Sequence, residues 1–131
     1  MNAIVIDTSV AIPLLLANHP DHAQVMSWAQ GKHLAFAGHS LFETYAVLTR
    51  LPVDSRLTPA QAQQLIGQYD EEHHLAVTNQ EAVRLMAAHN ITGGQVYDAL
   101  VALASTGHTL ATRDRRVLDL YTKLGVQVET V

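Results

Sequence analysis

Five short apolar runs, separated by stretches long enough to hold helices, constrain the fold of this chain more than any other feature. AIVI at residues 3–6, HLAFA at 33–37, HLAV at 74–77, HTLA at 108–111 and VQVETV at 126–131 read as strands. The first is mostly β-branched and unbroken by polar residues, the pattern of a strand buried on both faces. A dozen or more residues lie between successive runs, whereas a hairpin needs only about two and a parallel neighbour needs a crossover. The predicted class is therefore α/β, a parallel central sheet with helices on both faces in three layers. No repeat, low-complexity tract or linker interrupts the 131 residues, so residues 1–131 read as a single domain.

Helix signals fill the gaps. Thr8 and Ser9 open a helix directly after the first strand, and Pro20-Asp21 opens a second that runs through Trp28 to Gly31. Ser40 with Glu43 three residues on, and Thr78 with Glu81, have the form of capping boxes; Thr58-Pro59 with Gln61 marks another start. The Ser40 helix is expected to reach Leu51 before Pro52. An apolar helix follows Gly93-Gly94, from about Gln95 to Thr106, with Gly107 in the left-handed position, and Asp114 to Leu124 makes the last helix before Gly125.

Composition excludes several classes. Cysteine is absent, which removes disulfides, thiolate catalysis and Cys-containing zinc sites. The longest apolar run, Val10 to Ala17, is 8 residues long with Pro13 inside it, far below the ~20 needed to span a bilayer. No Lys or Arg precedes Asp7, so no secretory signal is read and a soluble, cytoplasmic protein without membrane contact is expected. With 8 Lys plus Arg, 12 Asp plus Glu and a net charge of -4, the chain lacks the basic excess of a non-specific nucleic-acid binder.

Four acids sit where apolar or helix-starting residues are expected. Asp7 and Asp114 follow predicted strands, where Asp can simply cap the next helix. Glu43 can serve its capping box, although Ala46 and Val47 at i+3 and i+4 offer it no cation. Asp98 stands before fourteen residues, Ala99 to Thr112, that contain no charged side chain. Dipole complementation in the first turn is its structural alternative. Ligands of an open parallel sheet bind beyond the carboxyl ends of its strands, and all four acids can face that edge. Carboxylates crowded there repel, which asks for a divalent cation. Oxygen donors without thiolates favour Mg²⁺ or Mn²⁺, and such ions activate water against phosphodiesters.

IVIDTSV at 4–10, LFETYAVLTR at 41–50, VYDALVALA at 96–104 and LATRDRR at 110–116 resemble the four motif regions of PIN-domain ribonucleases, and more narrowly VapC toxins of toxin-antitoxin pairs. The resemblance spans nearly the whole chain. It implies a PIN-like fold and a metal-dependent endoribonuclease with Asp7, Glu43, Asp98 and Asp114 as catalytic and metal-binding acids. Ser9 and Thr112 would be supporting hydroxyls, and Asp119 competes with Asp114 as the fourth acid. It further implies a small DNA-binding VapB-type antitoxin as partner and a toxin homodimer.

Arg113, Arg115 and Arg116 beside the last acid are candidate RNA phosphate contacts, or else pair with Asp119 or the antitoxin. Seven aromatic residues make a poor platform for indiscriminate single-strand binding, so a structured RNA is the expected substrate. Trp28, Tyr45 and Tyr97 are expected in the core. His19-x-x-His22 lacks a third ligand at recognisable spacing, and adjacent His73 and His74 should point apart, so zinc is not expected. Two other readings remain: a catalytically silent PIN-like interaction module, and a phosphatase with Asp7 as nucleophile. The phosphatase normally needs an acid where this chain has Ser9.

Overall fold

The first apolar run becomes β1 (Ile4–Ile6), the central strand of a five-stranded sheet. β2 (Leu34–Ala37) and β4 (Thr109–Thr112) flank it, with Ile4 in register with Leu34 and Thr109, and Ile6 with Phe36 and Ala111. β3 (Glu72–His73) and β5 (Gln127–Thr130) form the edges, giving the all-parallel order β3-β2-β1-β4-β5. This is a computed structural model, and it describes residues 2–131.

Both faces of the sheet are covered, as a parallel sheet requires. On one face Ile6 and Phe36 pack with α1 (Thr8–Leu15), α2 (His22–Ala29), α3 (Gly38–Thr49) and α4 (Pro59–Ile66) through Val10, Leu14, Val25, Leu48 and Ile66. On the other, Val5, Ala37 and Leu110 meet Val101 of α6 (Gln95–Ala104) and Tyr121 of α7 (Leu118–Lys123). α5 (Asn79–Ala88) lies against α6 through Ala82, Met86, Ala99 and Leu103.

Several sequence expectations are corrected. The third strand is the pair Glu72–His73, not HLAV at 74–77. Leu75 packs instead with the α5–α6 cluster, and very short strands are one way sheet edges are blunted. α1, for which only the start was predicted, runs through Pro13, which sits buried inside the helix. α3 begins at Gly38, straight out of β2, so Ser40 is inside it and no capping box forms with Glu43. The Ser40 hydroxyl instead donates to the carbonyls of Ile6 (3.1 Å) and Ala37 (2.9 Å), fastening α3 to the ends of β1 and β2. Thr58 and Gln61 do form the reciprocal box. Thr78 accepts the Glu81 amide, but the Glu81 carboxylate turns to Arg84. The last helix is interrupted: Arg115–Val117 is a 3₁₀ turn before α7.

Ser40 is fully buried, so Ser40→Ala deletes a donor without opening a large cavity. We expect a loss of roughly 0.5 to 1.5 kcal/mol. Urea unfolding should show a lower midpoint at unchanged m-value; unchanged stability would mean that the two carbonyls do not need this donor.

Candidate active site

β1 ends at Ile6, and the next residue, Asp7, closes the strand and caps α1 at once. Its carboxylate accepts the backbone amides of Ser9 (3.0 Å) and Val10 (3.4 Å) and the Ser9 hydroxyl (2.6 Å) on one oxygen. The other oxygen accepts the Tyr121 hydroxyl at 3.0 Å. Asp7 is only 6% exposed. Burial raises its pKa above the usual carboxylate range, while the hydroxyls of Ser9, Thr112 and Tyr121 and the Val10 amide pull the other way. The capping role and the site role therefore belong to one side chain.

Ser9 is the junction of the site. Its oxygen donates to Asp7, accepts the Arg113 amide at 2.7 Å and lies 3.3 Å from the Thr112 hydroxyl. Thr112 in turn accepts the Asp114 amide at 3.1 Å. β4 is hydrogen-bonded to β1, which is why residues 103 and 104 apart in sequence meet here. From α3, Glu43 accepts the Thr8 hydroxyl at 3.3 Å and lies 3.9 Å from His39 Nε2. α6 brings Asp98 in from the opposite layer. Asp7, Ser9, Glu43, Asp98, Asp114 and Tyr121 line one cleft of about 100 Å³.

Asp98 senses the others. Its pKa is raised, first by burial and then by the negative charges of Glu43, Asp7 and Asp114, with Arg116 opposing. Asp114 differs: both its oxygens take bonds from the Arg116 side chain at 3.0 Å, which lowers its pKa. Asp119 is exposed on α7 and does not line the cleft. Among the described residues no three His, Asp or Glu side chains stand ready to hold an ion as they are placed. The donor set nonetheless suits a hard divalent cation: oxygen ligands only, one of them raised by the repulsion that such a cation would cancel.

The arginines separate. Arg113 pairs with Asp21, the α2 cap residue, at 2.8 Å and is mostly buried. Arg116 grips Asp114, and Arg115 is exposed. Neither pair is the expected one with Asp119. Among the histidines, His19 Nδ1 accepts the Asp21 amide and His22 Nδ1 faces the Pro13 carbonyl. His73 and His74 turn to Glu71 and Glu72 respectively. Sequence reasoning missed Tyr121, Thr8 and His39. The available signal for Tyr121 was a phenol in the apolar stripe Val117, Leu120, Tyr121, Leu124 of the last helix, which needs a polar partner once buried.

The model for the PIN domain matches residues 4–123. This chain belongs to the PIN-domain family. Within it, the chain is 49% identical over 129 residues to "Ribonuclease VapC27" of Mycobacterium tuberculosis, covering 95% of this chain and 94% of that protein. Among solved structures, it matches Mycobacterium tuberculosis VapC20, titled a "Sarcin-Ricin loop cleaving toxin", with TM-score 0.64 and 20% identity over 94% of this chain and 95% of that one. It also matches the DNA-bound VapBC of Salmonella typhimurium with TM-score 0.66 and 14% identity over 99% and 98% of the two chains. These two likenesses show the fold; the identity to VapC27 places the chain among VapC ribonucleases.

Two measurements test the PIN site without metal. Asp98 has a raised folded pKa, so between the unfolded carboxylate range and that value the native state holds more protons than the unfolded state. Stability from this group therefore falls as pH rises through the window. In EDTA at neutral pH, Asp98→Asn should melt at or above wild type, and the difference should shrink on acidification toward the unfolded pKa; a mutant clearly less stable at neutral pH would make Asp98 a structural cap. Tyr121→Phe removes a buried donor to Asp7 and should lower stability by about 1 to 3 kcal/mol in denaturant titration. A change near zero would show that the bond adds nothing.

Proposed function

We propose that this PIN-domain protein is a divalent-metal-dependent endoribonuclease, the toxin of a VapBC-type pair, and that it cuts structured RNA. One observation carries the reading: α6 brings Asp98 into the cleft at the end of β1 beside Asp7, Glu43 and Asp114, where burial and then those three carboxylates raise its pKa. That is an expensive arrangement for a merely structural cap. PIN-domain ribonucleases are generally dependent on divalent metals, and Mg²⁺ or Mn²⁺ fits the all-oxygen donors here. Asp7, Glu43 and Asp98 are the residues we assign to hold the ion, with Asp114 joining if Arg116 releases it. Bound there, the ion would supply Lewis-acid activation of water and of the phosphodiester.

The chain's own groups do the rest. Ser9 and Tyr121 fix both oxygens of Asp7, so the carboxylate is oriented before any ligand arrives. Thr112 holds the turn that carries Asp114. Of the three arginines, Arg115 is exposed and is the one we assign to RNA phosphate, whereas Arg116 is bonded to Asp114 and Arg113 to Asp21. An antitoxin partner follows by analogy with the DNA-bound VapBC complex of the same fold, and a toxin homodimer is part of the proposal from the family resemblance. No helix among the described residues is long and apolar enough to cross a membrane, and a cytoplasmic site of action is part of the proposal.

Purified chain incubated with structured RNAs should give internal cuts with Mg²⁺ or Mn²⁺ and none in EDTA. Asp7→Asn and Asp98→Asn should reduce cutting to background while remaining folded. Cuts that persist in EDTA or in folded Asp98→Asn would overturn the assignment. Hydrolysis of a small phosphoester alone would support the phosphatase reading, and intact RNA with tight partner binding would support the silent module.

A further inference from the structure

Of the seven aromatic residues, Phe36 and Tyr121 are buried, and Trp28 and Tyr69 pack against the core. The other three, Phe42 (72% exposed), Tyr45 (38%) and Tyr97 (55%), lie on α3 and α6, the helices that carry Glu43 and Asp98. The core role expected for Tyr45 and Tyr97 is thus wrong. Tyr97 immediately precedes Asp98, and its ring stacks on His39 with centroids 5.2 Å apart and planes 16° from parallel. His39 lies one turn before Glu43 and 3.9 Å from its carboxylate. A stacked aromatic pair therefore stands beside the acidic cleft, on the two helices that carry Glu43 and Asp98. Tyr97 lines neither of the two apolar cavities beside α3, about 270 and 660 Å³, that include Phe42. The Tyr97 ring thus lies outside both cavities, while its partner His39 borders the smaller one.

We infer that the stacked pair His39–Tyr97 is a subsite for an unpaired nucleobase of RNA, next to the phosphodiester that is cut. This rests on the ribonuclease reading and goes beyond it by naming how the substrate is held. Electrostatic grip alone is weak here. The cleft is acidic, Arg113 is paired with Asp21, Arg116 with Asp114, and the chain carries a net charge of -4. Base stacking works without opposing phosphate charge, and every base has a π-face to offer. Such a subsite tolerates any base but demands that it be unstacked, so it selects loops and bulges over duplex. That reconciles few aromatic residues with a structured substrate: one stacking position at the cut is enough.

The test is binding in EDTA, where cleavage cannot intervene. The probe is a set of RNA hairpins with randomised loops, their fully paired counterparts, and loop variants carrying the fluorescent base 2-aminopurine. Wild type should bind hairpins more tightly than duplexes and quench 2-aminopurine. Tyr97→Ala should weaken hairpin binding by roughly 5- to 150-fold and abolish quenching, with duplex binding unchanged; Tyr97→Phe should restore both. Circular dichroism and melting check that the variants fold, and His39→Ala gives a second disruption of the same surface. Equal hairpin affinity of wild type and Tyr97→Ala overturns the subsite. So does a change in oligomeric state with RNA affinity intact, which would make Tyr97 a contact between copies. A wild type that binds neither RNA overturns it as well. Quenching by wild type without any cleavage on adding Mg²⁺ or Mn²⁺ would instead sink the ribonuclease reading while leaving the base subsite standing.

Discussion

The carboxylate of Asp7 is the point from which the rest of the site is built. It is nearly inaccessible to water, and an ionised group in such a place needs donors on both oxygens. Ser9 and the amides at the start of α1 supply one set, and Tyr121 from the far helical layer supplies the other. These bonds tie β1, α1 and α7 together. Through Ser9 and Thr112 they also fix the turn after β4. The network is satisfied at Asp7 and under-neutralised at Asp98. That difference separates a carboxylate held for placement from one left to interact with something else.

Fold and charge work against each other at this edge. The central position of β1 draws three neighbouring elements toward one point, and each delivers an acid. Part of the tension is relieved within the protein, since Arg116 neutralises Asp114. The remainder falls on Asp98. A site that lowers the stability of its empty form but gains from a ligand is a common compromise between stability and activity. The Asp21–Arg113 pair, outside the cleft, anchors the α2 end to the same turn. The aromatic rim on α3 and α6 then gives the protein a means of holding nucleic acid that does not depend on net positive charge.

Much of this architecture was legible before any coordinates. The spacing of apolar runs implied a parallel sheet, and the four acids were each out of place for a reason that local helix chemistry did not fully explain. Local signals were trustworthy where both partners lay within one turn, as at Thr58 and Gln61. They misled where a long-range partner competed. Ser40 looked like a cap, but the carbonyls at the ends of β1 and β2 were better acceptors for its hydroxyl. HLAV looked like a strand, but Leu75 found α5 and α6 before it found the sheet.

The sequence by itself determined the class of fold and the family and singled out the four acids as candidates, because periodicity and residue type are local properties of the chain. Only the tertiary structure decided which of those acids shares a cleft, that Asp114 lines it while Asp119 does not, that Arg113 pairs with Asp21, and that Tyr121 belongs to Asp7. It also decided that Tyr97 faces outward beside Asp98 rather than inward. Each of those outcomes depends on a contact between residues far apart in sequence. Hydrogen bonds and charge repulsion act over a few ångströms, and only the register of β1 against β4, with the packing of α3 and α6 over it, brings the partners within that range.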